Sequence, residues 1–513
     1  MNNLESDRLA LQARLDSAND IEYRRKLGQF STPTSLANDI ITFGLSHIKN
    51  INRINFLDPA FGTGAFYSAL LNSTDIYNIN DAVAIEIDNT YATETAKFWN
   101  SYNIKIINGD FTKLYPFKTF NLIISNPPYV RHHLIDFKEK KRIKDKTKAV
   151  SGVELSGLAG LYCHFLLQSI QWMSDDGIGG WLIPSEFMDV NYGKPLKNYL
   201  LNNVNLFRIH RFSPDNIQFN DALVPSTVVW FEKSAPKSSN ILFSYGGSLN
   251  SPDIVKEISI NALKNEYKWT RFPCLSQRNF QISIPKIKDY FEVKRGIATG
   301  GNDFFILDQE RIAYLDLPFD VFRPVLPSVR YVKNNEIEAD ENGNPVLLKR
   351  LFLLDCRLTV EQIKERYPNL WLYLETGKNT VAKGYLCKNR KFWYLQEHRD
   401  PPVFVCSYMG RITNNNSAFR FILNNSNAII TNSYLGLYPH NDIDKLLISN
   451  PSLKRLLGKM LNELTAGSLF EEGRIYGGGL QKIEPKELLN VNVPFMPDLF
   501  AIKSNKVLKN RLF

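Results

Sequence analysis

The chain has 513 residues, of which 44% are hydrophobic and 22% charged. That balance excludes a disordered or fibrous polymer and predicts two or three globular domains. The formal charge is +10 and the isoelectric point about 9.1, which favours a polyanionic partner without naming one. Cys163, Cys274, Cys356, Cys387 and Cys406 show no CxxC or zinc-knuckle spacing, so they read as reduced thiols of a cytoplasmic protein. The start, MNNLESDRLALQARLDS, lacks a signal-peptide core, and no apolar run approaches the ~20 residues of a membrane span.

Residues 1–27 are expected to form a charged helical arm. Leu4, Leu9, Leu11 and Leu15 are interspersed with charges, and packing against the body is favoured over contact with DNA. From 28 to 235, short apolar runs alternate with helical patterns. INFLDPAF, DAVAIEID, NIKIINGD and FNLIISNPP read as buried strands, with helices over GAFYSALLN and NTYATETAKFWNSY. Further on come a helix (LYCHFLLQSIQWM), a strand (GIGGWLIP), a helix (GKPLKNYLLN) and two strands (VNLFRIHRF, STVVWFEK). Strands buried on both faces and alternating with helices imply an α/β, doubly wound, Rossmann-like sheet. Residues 131–157, with KEKKRIKDKTKAVSG, break that rhythm. They read as a mobile loop or solvated helix able to close on substrate, or as a disordered insertion. SAPKSSN reads as a linker, so a second domain of mixed α/β character is expected over 236–513.

Four strand ends carry the chemistry. In DPAFGTGAF, Asp58 closes a strand and Gly62 and Gly64 form a turn before a helix. Glycines there permit positive φ and close approach of a ligand to backbone. The turn is not GxGxxG and lacks the Lys-Ser/Thr of a phosphate loop, which disfavours dinucleotide and ATP sites. Next, AVAIEID ends in Glu86 or Asp88, and a carboxylate at that place suits two ribose hydroxyls. IINGDFTKL ends in Asp110 and Phe111. Asp110 can accept from an adenine amino group while Phe111 stacks on the ring, with Ile87 covering the other face; alternatively, Asp110 is a cap and Phe111 core. In NLIISNPPYV, the prolines stiffen the loop. The Asn126 amide oxygen and the Pro127 carbonyl can accept both hydrogens of a flipped adenine's amino group, and Tyr129 can stack on the base.

These motifs, in this order, resemble the gamma class of adenine-N6 DNA methyltransferases, the modification enzymes of type II restriction–modification systems. GQFSTP lies upstream, DPAFGTGAF and NPPY follow, and a long variable region comes last. The resemblance implies S-adenosyl-L-methionine as cofactor and an adenine in double-stranded DNA as target. It implies that Thr32, with Phe30 nearby, meets the methionine end of the cofactor, and that Asp58 and the backbone at Ala60 and Gly62 hold the same portion. Glu86 would take the ribose, Ile87 and Phe111 the adenine faces, and Asp110 its amino group. Asn126, Pro127, Pro128 and Tyr129 would form the target site, with Asn126 and Pro128 also bordering the cofactor. NIQFNDALVPSTVVWF resembles the region that supplies a second aromatic to the flipped base, making Phe219 the candidate and Phe212 the fallback. VKRGIATGGNDFFIL and GRIYGGGLQKIEPKEL resemble segments of target-recognition domains, so Lys294, Arg295, Thr299, Arg474 and Tyr476 are the candidate DNA contacts. KNRKFWYLQEHR mixes cations with aromatics, or is an ordinary basic hairpin around a buried Trp393.

Methyl transfer from an activated sulfonium needs alignment more than a strong nucleophile. No metal-ligand cluster is legible, and no cysteine sits in the NPPY loop, which disfavours a covalent cytosine mechanism. The expected protein is a monomer that protects DNA from a cognate restriction endonuclease. The stretch before GQFSTP is short for a fused nuclease domain. Rival readings are an RNA or protein N-methyltransferase, a modification subunit needing a separate specificity subunit, and a binding protein with a decayed methyltransferase fold.

Overall fold

The computed structural model describes residues 2–18, 24, 27–130, 134–213, 218, 224–273, 285–411, 418–464, 469, 472–476 and 480–493. The chain divides into two compact units at 278/279, the stretch 476–478 aside.

In the first unit the expected apolar runs form strands: β1 (Ile54–Asp58), β2 (Ile79–Glu86), β3 (Lys105–Asn108), β4 (Phe120–Ser125), β5 (Met173–Pro184), β6 (Asn205–Arg211) and β7 (Ser226–Glu232). Two further strands, β8 (Asn240–Tyr245) and β9 (Ile254–Ser259), extend the same sheet, whose order is β3-β2-β1-β4-β5-β7-β6-β8-β9. The pairs from β3 through β5 are parallel, while β7 runs antiparallel to both β5 and β6.

Helices cover both faces. Among them are α1 (Asn2–Ala18), α2 (Thr34–Leu45), α3 (Ala65–Ser73), α4 (Asn89–Phe98), α5 (Phe137–Ser151), α6 (Leu161–Ser169) and α7 (Lys194–Asn202). Alternate strand residues point to opposite faces, and the core divides accordingly. Leu57, Val83, Ile85 and Ile123 pack with Leu166, Leu167, Leu196 and Leu200 from α6 and α7. Phe56, Ala84, Leu122 and Ile124 pack with Ile40, Ile41, Phe66 and Leu70 from α2 and α3. Burial on both faces is why these strands read as continuous apolar runs.

The structure decides three expectations. The boundary expected at 235/236 falls inside this sheet, because β8 pairs parallel to β6 and β9 closes the edge. SAPKSSN is thus a connection between β7 and β8. Of the readings offered for 131–157, the helix is the one that holds over 137–151, which form α5, neither a loop nor a disordered insertion. Asp136 caps it, Ile143 and Thr147 form its buried stripe four residues apart, and Gly152 ends it in a left-handed conformation. The arm, as favoured, packs on the body: Leu11 and Leu15 of α1 meet Tyr91 of α4.

The second unit is also mixed α/β. Its largest sheet has the order Phe291–Arg295, Tyr434–Pro439, Phe404–Ser407, Phe421–Asn424 and Glu336–Ile337. Small three-stranded sheets, several short helices and the longer helices Pro368–Gly377, Asn441–Ser449 and Pro451–Asn462 are also described.

Candidate active site

Strand order reverses between β1 and β4, and a crevice opens at such a switch point beyond the strand carboxyl ends. The cavity found there is lined by every residue expected to hold a cofactor. Phe30 and Thr32 come from the loop before α2. Asp58, Ala60 and Gly62 follow β1, Glu86 and Ile87 end β2, Asp110 and Phe111 follow β3, and Asn126 and Pro128 follow β4.

Each strand end is built for that position. Gly62 and Gly64 take φ of +57° and +87°, so the turn leading into α3 needs glycine at both. Glu86 is 6% exposed. Its Oε2 accepts from Gly62 N at 2.8 Å and its Oε1 from Asp88 N at 2.9 Å. Burial pushes the Glu86 carboxyl up to about 7 despite these bonds. Asp58, 1% exposed, accepts from Ala60 N and the Ser125 hydroxyl. Burial, reinforced by the nearby Glu86 charge, raises it to about 7 as well. Asp88, the alternative to Glu86, caps α4 through Thr90 N and Tyr91 N.

Asp110 does serve as a cap. Its Oδ1 accepts from the backbone N–H and hydroxyl of Thr112, while Oδ2 stands 3.5 Å from the Arg142 guanidinium on α5. Phe111 is both core and wall: it packs on Phe165 and Trp172 and lines the cavity. Ile87 is 59% exposed at the rim.

The NPPY loop is held from two sides. Asn126 Nδ2 donates to the Phe30 carbonyl at 2.8 Å and to Thr32 Oγ1 at 3.2 Å. Its Oδ1 is buried with no hydrogen-bond partner among the described residues. Tyr129 donates its hydroxyl to the Leu182 carbonyl at 3.2 Å, and its ring lies 5.6 Å from Phe30. Burial drives the Tyr129 hydroxyl far above its ordinary pKa. Pro127 and Tyr129 are not among the residues that line this cavity.

Other expectations fare differently. Phe219 lies outside the described residues. The fallback, Phe212, is 2% exposed and packs edge-on against His210, so it is core and cannot face a base. Thr299 is 2% exposed, and its hydroxyl closes a turn with Asn302 and Gly301; it is a poor DNA contact. Lys294 and Arg295 are exposed on an outer strand, Lys294 paired with Glu292 and lying over Tyr438, Arg295 over Tyr408. Arg474 pairs with Glu487, and Tyr476 ends the strand Arg474–Tyr476. Trp393 is half-buried against Phe304 and Phe305 in a segment without strands.

Sequence reasoning missed one wall. Gln12 and Asp16 on α1 line the cavity. The signal was present, because Arg8, Gln12 and Asp16 recur every fourth residue on one helical face.

The strand order, antiparallel β7 and cavity at the β1/β4 switch define the class: an α/β methyltransferase-type domain followed by a separate C-terminal domain. Two family models match adjoining regions. The Eco57I restriction-modification methylase matches residues 45–218, and the C-terminal domain of type II methyltransferase M.Eco57I matches residues 270–511. The type II methyltransferase M.AccI of Acinetobacter calcoaceticus is 28% identical over 491 residues, 91% of this chain and 85% of that protein. M.XamI of Xanthomonas campestris pv. amaranthicola is 27% identical over 491 residues, 93% and 86% of the respective chains. A solved structure of the type IIL restriction-modification enzyme MmeI in complex with DNA shares the fold, with a TM-score of 0.53 and 15% identity. It covers 82% of this chain, which spans only 64% of that one. The chain belongs to the Eco57I family of type II restriction–modification DNA methyltransferases. Among its described residues, no helix is long and apolar enough to cross a membrane.

Proposed function

We propose that the chain methylates N6 of an adenine flipped out of double-stranded DNA, using S-adenosyl-L-methionine, and so shields a short recurring site from a partner restriction endonuclease. The observation that carries this reading is the buried, unpartnered Oδ1 of Asn126. The Nδ2 of the same amide is pinned by the Phe30 carbonyl and the Thr32 hydroxyl. The amide therefore presents an acceptor, and a buried acceptor without a donor costs roughly 1–3 kcal/mol until one arrives. An exocyclic amino group is such a donor.

The cavity suits the cofactor. Buried carboxylates at Glu86 and Asp58 can accept from ribose hydroxyls and meet the positive methionine end. Ile87 and Phe111 offer apolar faces to a purine, with Asp110 at the same strand end. When bound, S-adenosyl-L-methionine supplies a methyl group already activated on a sulfonium sulfur. Asn126 Oδ1 and the Pro127 carbonyl then accept the two N6 hydrogens, which directs the nitrogen lone pair toward the methyl. Tyr129, its hydroxyl tied to Leu182, offers a fixed ring for the base to stack on. A second domain after the catalytic one favours specificity carried in the same chain.

The test incubates the protein with methyl-labelled cofactor and unmethylated genomic DNA, then digests the DNA to nucleosides. Label in N6-methyladenine at one short sequence supports the proposal. Label in a cytosine, or only in RNA or protein, overturns it. Label in DNA that appears only when a second subunit is added overturns the self-contained reading alone.

A further inference from the structure

The cofactor of the proposed reaction carries a carboxylate at its methionine end, yet the described residues lining the cavity include no cation to meet it. No Lys, Arg or His is among its described lining residues, whose charged groups are Asp16, Asp58, Glu86 and Asp110. Among the described lining residues, the groups that can meet an anion are therefore neutral donors, with Arg24 standing behind Asp16.

Helix α1 supplies one. Arg8 is fully buried and holds Glu5 on one side and Gln12 on the other; its NH1 donates to Gln12 Oε1 at 3.0 Å and to Thr63 Oγ1 at 2.9 Å. Thr63 Oγ1 itself lies 3.3 Å from the same Gln12 oxygen. The Gln12 amide therefore has a fixed orientation, since a flip would set its NH2 against the Arg8 guanidinium. Its oxygen is spent on Arg8 and Thr63, and no acceptor among the described residues takes its Nε2. Gln12 lines the cavity beside the Gly62–Thr63 turn, the turn already assigned to the methionine portion. Glu5, held low at about 2 by Arg8, Ser68 and Thr34 against its burial, stays ionised and keeps Arg8 in place.

We infer that Gln12 is a cofactor-binding residue whose Nε2 donates to the α-carboxylate of S-adenosyl-L-methionine, with Arg8 as the positioning residue behind it. This rests on reading the cavity as the cofactor site. It also gives the N-terminal arm a purpose beyond packing: the arm completes the methionine end of the site.

The experiment is isothermal titration of the full chain, without DNA, using S-adenosyl-L-methionine and its decarboxylated analogue, which differs only in lacking the carboxylate. Gln12→Ala should weaken the first ligand about tenfold or more, as the loss of a hydrogen bond to a charged group does, and leave the analogue unchanged. Gln12→Glu keeps the acceptor for Arg8 but removes the donors, so it should weaken S-adenosyl-L-methionine further and spare the analogue. Equal loss for both ligands would mean a merely structural role, and no loss for either would mean no contact; each overturns the inference. Binding of neither ligand by the unsubstituted protein overturns the cofactor reading itself.

Discussion

If the cavity holds the cofactor as proposed, the two buried carboxyls that line it make binding sensitive to pH, and the size of the effect follows from Glu86. Its ordinary value of 4.5 is pushed to about 7 by burial. At pH 8 about one molecule in ten holds the proton there; at pH 6 about ten in eleven do. If the ribose hydroxyls donate to an ionised Glu86, affinity falls about tenfold from pH 8 to pH 6 through this group alone. Asp58, also near 7, adds to the fall, and the two titrate as a coupled pair. The same shift has a consequence for stability. A carboxyl raised in the folded state binds more protons there than in the unfolded chain between pH 4.5 and 7. The ligand-free protein therefore has this contribution in full at low pH and loses it as pH rises through that window, by roughly 3 kcal/mol for a shift of this size. The assay is titration of S-adenosylhomocysteine into wild type and Glu86→Gln from pH 6 to 8.5, with thermal melts alongside. Glu86→Gln should bind more weakly at pH 8, with about half the wild-type slope left by Asp58, and its melting temperature should fall less between pH 5 and 7. A wild-type affinity that is flat, or that tightens toward pH 6, would refute the role of an ionised Glu86.

Asn126→Ala removes the acceptor proposed for the target amino group and should slow single-turnover methylation by about 10²–10³-fold, with a much smaller change in cofactor binding; parallel losses would reassign Asn126 to the cofactor alone. Tyr129→Phe gives up the bond to the Leu182 carbonyl, costing about 1 kcal/mol in a melt while keeping transfer, whereas Tyr129→Ala should abolish most transfer; a Phe variant as inactive as the Ala one would contradict stacking. Gly28→Ala would place a methyl 2.5 Å from Tyr129 N at a φ of +67°, so it should lower both melting temperature and activity, and wild-type values for both would show that the approach of the two loops is not needed. Arg142→Ala removes donors to the Thr112 carbonyl and hydroxyl and should speed tryptic cleavage within α5, although Lys146 still donates to the Thr112 and Leu114 carbonyls; unchanged cleavage would mean that Lys146 and the buried Ile143 hold the helix unaided.

The central strands were legible because burial on both faces leaves no polar alternation to confuse them, and the motifs were legible because each sits where such a strand stops. The edges were harder to read. β9 is IVKEIS, half exposed along its length, and an antiparallel edge strand of that composition looks like any loop-rich stretch after a Ser-rich connection. Helix α5 misled for a related reason. Its lysines and Arg142 suggested solvation, yet Arg142 and Lys146 bond carbonyls of the 111–114 turn. A cation docked on backbone carbonyls has the same sequence signature as one in water.

The candidate site shows a sharper limit. NPPY announced an acceptor at Asn126, but an asparagine amide has two ends and the motif cannot say which is free. That choice is made by Phe30 and Thr32, nearly a hundred residues upstream, which take the nitrogen and leave the oxygen. On the proposed reading, the GQFSTP loop is therefore as much a part of the target site as of the cofactor site. The same logic applies to Gln12, whose orientation is set by Arg8 one helical turn before it. In both cases residue type supplies a bifunctional amide, and a tertiary contact decides whether it acts as donor or acceptor.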